Sequence, residues 1–372
     1  MKGLILSGGK GTRLRPLTYT RAKQLLPLAN KPVLFYAIEA LLEAGVREIG
    51  IIVGDTHEEI RAAVHAERER GTWGDDLRLV FLQQEAPLGL AHAVLTARDF
   101  LGQDRFLMFL GDNLIGEPLG PLVAGFDAPV CAHQAEILLT AVPNPSEFGV
   151  AELDGVAEEG TAPRIKRLIE KPKQPPSNLA LVGVYCFDHH IFEAASRIRP
   201  SARGELEITD AIQWLIDHGY TVRPHILTSY WIDTGKMEDI LAANRQVLAG
   251  LTRSIAADAV ISDDSVLQGE VVVQAGARIS GSIVRGPAII GERAIIEQAY
   301  IGPFSSIYHD ARIVESEVEY TIALEHAAIT QVRGRIEASL IGRYAEVRST
   351  PERPRAHRVM LGDYSKVGLS ED

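Results

Sequence analysis

The chain of 372 residues carries 38 Lys and Arg against 49 Asp and Glu, a formal net charge of −11. With 46% hydrophobic and 23% charged residues it has an ordinary globular composition, which excludes wholesale disorder. At about 150 residues per domain the length suggests two or three domains. An acidic chain without a long Lys/Arg run excludes a broad surface for nucleic acid or acidic lipid, so an anionic ligand must be met by local positive charge.

Cys131 and Cys186 each sit beside apolar residues and far apart, which fits neither a disulfide framework nor zinc-ligand spacing. A reducing cytoplasm is the expected compartment. The apolar stretch Gly3-Leu4-Ile5-Leu6 is interrupted at once by Ser7-Gly8-Gly9-Lys10. It is too short for a signal-peptide core, and no later stretch reaches about 18 apolar residues. Neither export nor a membrane span is expected.

From the start to about residue 245, short apolar runs alternate with helical periodicity, the pattern of an α/β domain. Leu4-Ile5-Leu6 enters a glycine-rich turn. Leu34, Phe35, Ile38, Leu41 and Leu42 then share one helical face, with Pro32 near its start and Gly45 just past its end. Ile49–Val53, Leu79–Leu82 and Phe106–Leu110 are continuous apolar runs, as expected for strands of a sheet covered on both faces. Two of them end at polar groups, Gly54-Asp55 and Gly111-Asp112-Asn113.

After about residue 252 a period of six appears. Ile255, Ile261, Leu267, Val273 and Ile279 are spaced by six; after a slip of five come Val284, Ile290 and Ile296; after another come Ile301, Ile307 and Ile313. Small residues recur four positions later, at Ala259, Ser265, Ala277, Ala294, Ser305 and Ala311. One inward aliphatic residue per short strand predicts a parallel β-helix, whose stacked coils bury a continuous aliphatic column.

The densest chemical signal is Leu6-Ser7-Gly8-Gly9-Lys10-Gly11-Thr12-Arg13-Leu14-Arg15-Pro16, directly after the first strand. Glycines there let backbone N–H groups approach phosphate closely, and the lysine and two arginines supply positive charge. The loop is not a dinucleotide fingerprint, whose third glycine would fall at Leu14, nor a Walker A loop, which needs Gly-Lys-Ser/Thr.

This loop, followed by Lys23-Gln24-Leu25-Leu26-Pro27 and Asn30-Lys31-Pro32, resembles the sugar-phosphate nucleotidylyltransferases. Further segments match in the family's order: Gln84 with Pro87–Ala91, Gly111-Asp112-Asn113, Phe148-Gly149-Val150, Glu170-Lys171-Pro172, Leu181–Tyr185, Arg203–Asp210 and Trp231–Gly235. The resemblance covers roughly residues 1–245, and the hexapeptide tail matches the family's longer form. It implies a Rossmann-like α/β domain with a mixed or parallel sheet at about 1–245. A left-handed parallel β-helix follows at about 252–350, then a tail over 351–372. The handedness is implied by similarity to hexapeptide proteins.

The resemblance is strongest to the branch that takes dTTP and glucose 1-phosphate, and it implies Mg²⁺ as cofactor. A sugar 1-phosphate oxygen attacks the α-phosphorus of the triphosphate and pyrophosphate leaves; both reactants are polyanions, so catalysis is charge neutralisation and alignment. Arg13 is implied to neutralise the departing pyrophosphate, and Lys23 to lie against the α-phosphate and the attacking phosphate. Leu6, Gly8, Gly9, Gly11, Thr12, Arg13, Gln24, Gln84 and Gly89 are the implied nucleotide-binding positions, the two amides offering donor and acceptor to a pyrimidine edge. Asn113, Gly149, Glu170, Lys171, Val182 and Arg203 are implied on the sugar-phosphate side. Asp112 and Asp233 are implied as the metal pair, hard carboxylates suited to Mg²⁺. Phe148 stands where the family often has tyrosine.

UTP presents the same hydrogen-bonding edge as dTTP and lacks only the methyl, which limits discrimination to about 1–3 kcal/mol. Rival readings are therefore a UTP-preferring or other sugar-1-phosphate enzyme, a bifunctional protein that also transfers acetyl groups, and a non-catalytic regulatory relative. His189-His190 reads as a turn and helix start, His309 as a coil-corner residue, and Glu67–Arg70 as a solvated helix face. The segment Ser349–Arg355 reads as a connector leading to a terminal strand-like piece. No nucleic acid or membrane partner is expected. A homo-oligomer is, since flat sheet faces and coil edges need covering.

Overall fold

Leu4, Ile5, Ile49, Ile51, Leu107 and Met108 are all fully buried, the outcome that their continuous apolar runs demand. The computed structural model describes residues 1–154, 163–349, 359–360 and 363–368. The chain divides into two compact units, Met1–Lys10 with Val33–Trp231, and Gly11–Pro32 with Ile232–Asp372.

The first unit is built on a nine-stranded sheet. Its centre is parallel: Lys2–Leu6 lies between Glu48–Val53 and Phe106–Leu110, and Arg78–Gln83 extends it on the far side of Glu48–Val53. The other half turns antiparallel, with Leu179–Phe187 against Phe106–Leu110 and against Ala135–Ala141, and Arg164–Glu170 against Gly149–Asp154. Val222–Ile226 closes that side parallel to Ala135–Ala141. The sheet is therefore mixed. The expected helix runs Val33–Glu43 and buries Leu34, Ile38 and Leu41. A further core joins Phe106, Phe187 and Phe192 to Ile208, Ile212 and Leu215 of the helix Ile208–Asp217.

In the second unit the hexapeptide repeats form three parallel sheets of six, six and five strands, a left-handed parallel β-helix. Ile255, Val273, Ile290 and Ile307 stack in one column, Ile261, Ile279, Ile296 and Ile313 in a second, and Leu267, Val284 and Ile301 in a third. Every aliphatic position of the repeat pattern thus falls on a column. The slips of five are short corners: Gly281 and Gln298 turn there with φ of 55° and 47°. Most corners place a non-glycine residue at positive φ, including Arg293, Asp310, Glu315 and Gln331, normally unfavourable for an L-residue. The compensation is visible in the ladder, because these residues donate their N–H to the coil below, as Asp310 does to Glu292 and Glu315 to Glu297, both at 2.9 Å.

The helix Met237–Ala249 and the segment Ala29–Asn30 pack within this unit. Leu248 joins Ala29 and Ile289 in a small apolar cluster. Asn244, fully buried, accepts from the Ala29 N–H and from Ser306 Oγ, both at 2.8 Å.

His190 begins the helix His190–Arg197 with Asp188 Oδ1 accepting from its backbone N–H, so the histidine pair is the helix start that the sequence implies. His309 lies at a coil corner with Asp310. The expected connector lies outside the described residues from 350 to 358. Much of the terminal strand-like piece also falls outside the described residues, and among those described after 358 the chain turns at 363–364.

Candidate active site

In the first unit, the turn after Lys2–Leu6 is anchored on its neighbours. Ser7 N–H donates to Ile52 O at 2.8 Å, and Leu6 O accepts from Gly111 N–H at 2.9 Å. Gln84 follows the strand Arg78–Gln83 with its N–H on Val53 O at 2.8 Å. Its Nε2 donates to Gly89 O at 3.2 Å and lies 3.0 Å from His92 Nδ1. Its Oε1 faces Gly8, 3.4 Å from where a Cβ on that glycine would stand. Leu6, Gly8, Gln84 and Gly89 are thereby brought together at adjoining strand ends, where α/β sheets bind ligands. Ser7 Oγ is buried there without a hydrogen-bond partner.

Gly89 is required by its backbone. Its φ is 102°, and a Cβ would meet Leu206 O at 2.4 Å. The close approach lets Leu206 N–H donate to Leu88 O at 2.7 Å and Leu206 O accept from Ala91 N–H at 3.0 Å. This stitches Pro87–Ala91 to the Arg203–Asp210 segment.

The sugar-phosphate candidates of this unit form a second group. Gly149 and Glu170 are cross-strand partners. Glu170 Oε2 accepts from Thr209 Oγ1 at 2.7 Å, and its Oε1 lies 3.0 Å from Arg203 Nη2 and 3.9 Å from Lys171 Nζ. Arg203 Nη2 also donates to both oxygens of buried Glu207 at 2.9 Å. Partial burial opposes the charge on Arg203, but the hydrogen bond and charge of Glu207, with Glu205 and Glu170, raise its pKa above the ordinary value. Asp210, beside the same carboxylates, is pushed up by burial, then by Glu207 and Glu170.

Asn113 is buried, with Oδ1 accepting from Trp231 Nε1 at 2.6 Å and Nδ2 donating to Asp112 Oδ1 at 3.1 Å. Phe148 meets Trp231 edge-on at 5.2 Å, so the aromatic body is used without a hydroxyl. Val182 is buried in Leu179–Phe187, and Gly9 is exposed in the turn. Thr209 and Glu207, which join this group, were legible only as parts of the Arg203–Asp210 motif.

In the second unit, Arg13 lies in the short turn Thr12–Leu14 and Lys23 in the short turn Lys23–Leu25. Gly11 joins them: Thr18 Oγ1 donates to its carbonyl at 2.7 Å, and its α-carbon packs on Lys23. Gln24 is almost fully buried and its Oε1 has no hydrogen-bond partner. Asp233 ends the strand Trp231–Asp233. A Cβ on Gly235 would lie 2.9 Å from Arg13 Nη2 and 3.2 Å from Asp233 Oδ2, so the bare glycine lets the guanidinium and the carboxylate converge. Asp239 is pushed up chiefly by burial, opposed by Lys236 and Arg13. The unit thus brings Gly11 against Lys23, and Arg13 together with Asp233. Lys236 and Asp239 were not singled out in sequence, because nothing in their spacing places them near Arg13.

Asp112 in the first unit and Asp233 in the second each present a carboxylate. Carboxylates are hard, anionic oxygen donors, the ligand type that suits a divalent cation such as Mg²⁺. Among the described residues no helix is long and apolar enough to cross a membrane.

Residues 2–250 match the nucleotidyl transferase family. The chain is 49% identical to a glucose-1-phosphate thymidylyltransferase of Streptomyces griseus over 370 residues, covering 100% of each chain. It is 50% identical to the Streptomyces antibioticus enzyme of the same name, covering 99% of each. A solved Bacillus anthracis structure assigned as a glucose-1-phosphate thymidylyltransferase, in complex with sucrose, matches with a TM-score of 0.59 and 33% identity, covering 66% of this chain and 94% of that one.

Proposed function

Since this chain belongs to the nucleotidyl transferase family, we propose that its candidate site residues serve a displacement at phosphorus. The chain transfers a thymidylyl group from dTTP to glucose 1-phosphate, giving dTDP-glucose and pyrophosphate. The observation that carries this reading is the full-length match to the two Streptomyces enzymes.

The chain's own residues have three tasks. The first is to bind the base: Gln84, fixed by Gly89 and His92, and Gln24, whose buried Oε1 lacks a protein partner, offer amides to the pyrimidine edge. The second is to hold the sugar phosphate. Glu170 accepts from sugar hydroxyls, with Thr209 fixing its Oε2, while Arg203 and Lys171 anchor the phosphate. Arg203 begins surrounded by three carboxylates, so an incoming phosphate exchanges with Glu170 while Glu207 keeps the guanidinium aimed. Asn113 orients by its bonds to Trp231 and Asp112, and Gly149 and Val182 contribute backbone.

The third task is charge neutralisation. Arg13 takes the triphosphate and departing pyrophosphate, Lys23 the α-phosphate and the attacking oxygen, and Leu6, Gly8, Gly9, Gly11 and Thr12 the phosphates and nucleoside. No proton has to be removed, because a phosphate oxygen is already anionic at neutral pH. Asp112 and Asp233 are the carboxylates that would hold Mg²⁺, which when bound supplies further positive charge to the phosphates. A cytoplasmic homo-oligomer completes the proposal.

The test is pyrophosphate release with glucose 1-phosphate and Mg²⁺, comparing dTTP, UTP, ATP, CTP and GTP at matched concentrations. A dTTP preference abolished by EDTA is expected. Equal rates with UTP would widen the nucleotide specificity, and no release with any triphosphate would overturn the reading.

A further inference from the structure

The segment that carries Lys23 is held at both ends by the β-helix within the second unit. Upstream of the lysine, Arg21 Nη1 lies 3.0 Å from each oxygen of Glu325, a coil residue 304 positions away. Both side chains are mostly buried, 15% and 9% exposed. Arg343, one coil further on, places Nη1 3.9 Å from Glu325 Oε1 and donates Nη2 to Thr20 O. Downstream, Asn30 Nδ2 donates to Ile307 O at 2.8 Å, and Ala29 N–H reaches the Asn244 side chain that also holds Ser306. The short turn Lys23–Leu25 therefore spans two fixed points on the same β-helix.

An ion pair removed from water contributes little net stability, because desolvation offsets the attraction, so the pair matters here for the positions it ties together. The geometry fixed here is that of the backbone two residues before Lys23. We propose that Glu325 is a positioning residue for the reaction. It is a β-helix carboxylate that, with Arg343, sets Thr20 and Arg21 and through them the placement of the Lys23 ammonium. The β-helix then acts as part of the catalytic scaffold. This rests on the assignment of Lys23 to the α-phosphate.

A displacement of a charge-neutralising group by about 1 Å can cost about a hundredfold in rate. The experiment compares steady-state pyrophosphate release by full-length Glu325→Gln, Glu325→Asp, Arg343→Gln and Lys23→Ala, with melting curves for each. Glu325→Gln is expected to lower kcat between about tenfold and about a hundredfold, with the KM for glucose 1-phosphate within about twofold of the parent. Glu325→Asp, which keeps the charge, should recover part of that loss, and Arg343→Gln should lower kcat in the same sense. If Lys23→Ala loses activity by orders of magnitude while Glu325→Gln leaves kcat unchanged, the proposal is overturned and the assignment of Lys23 stands. If Lys23→Ala keeps its rate, that assignment falls. Should Glu325→Gln fail to fold, Arg343→Gln decides, its side chain being 35% exposed; an unchanged kcat there overturns the proposal. A loss that follows the melting temperature and raises every KM alike also overturns it.

Discussion

Gly11 lies flat against Lys23: a Cβ on the glycine would stand 2.8 Å from the lysine Cβ. Its φ of +62° is one that L-residues adopt with difficulty. Gly11→Ala therefore pushes Lys23 aside and strains the turn before Arg13. We expect kcat to fall by about tenfold or more, while the β-helix, which this turn does not build, keeps its far-ultraviolet circular dichroism. An alanine variant with the parent's kcat would show that Lys23 tolerates the shift.

Thr209 fixes Glu170 by donating to Oε2 at 2.7 Å. A hydrogen bond to a charged group contributes about 1.5–3 kcal/mol. Thr209→Val keeps the shape and deletes the donor, so the KM for glucose 1-phosphate should rise by about tenfold with the KM for dTTP little changed, and Thr209→Ser should restore it. Parallel rises in both KM values would place Thr209 outside the sugar-phosphate group.

Asn244 is buried with its Oδ1 serving the Ala29 N–H and Ser306 Oγ. Asn244→Ala leaves both donors unpaired away from water, a loss of about 1–3 kcal/mol for an unsatisfied group. Denaturant unfolding should give a free energy of unfolding lower by that amount, with a correspondingly lower midpoint. An unchanged midpoint would mean that water or a rearranged neighbour replaces the amide.

The pKa of Asp210 is raised by burial, then by Glu207 and Glu170, above its ordinary 3.8. A carboxyl raised in the folded state costs native stability where it is ionised in both states, at neutral pH. The cost disappears as pH falls below the unfolded value, where the carboxyl is protonated in both states. Asp210→Asn should therefore melt higher than the parent at pH 7, with the gap closing towards pH 4. A gap that is constant across this range, or of opposite sign at pH 7, would reject the account.

Local chemistry made much of this protein readable in one dimension. The β-helix is legible because one aliphatic residue per flat strand must face the column, so Ile261, Ile279, Ile296 and Ile313 announce their stacking by spacing alone. The first strands are legible because continuous apolar runs can only be buried. The glycine-rich loop is legible because close approach of a backbone to phosphate restricts residue type. Register, corner geometry and the reversal to antiparallel pairing at Leu179–Phe187 are set by partners remote in sequence.

The same division runs through the site. Composition and periodicity determined an acidic α/β chain with a β-helix, and the resemblance of its motifs to the sugar-phosphate nucleotidylyltransferases implied Arg13, Lys23, Glu170 and Arg203. Tertiary structure decided what holds them: Thr209 and Glu207 on Glu170 and Arg203, and Glu325 on Arg21. A hydrogen bond or ion pair depends on distances of a few ångströms between atoms that the chain order leaves unrelated, and only the folded backbone brings residue 325 to residue 21.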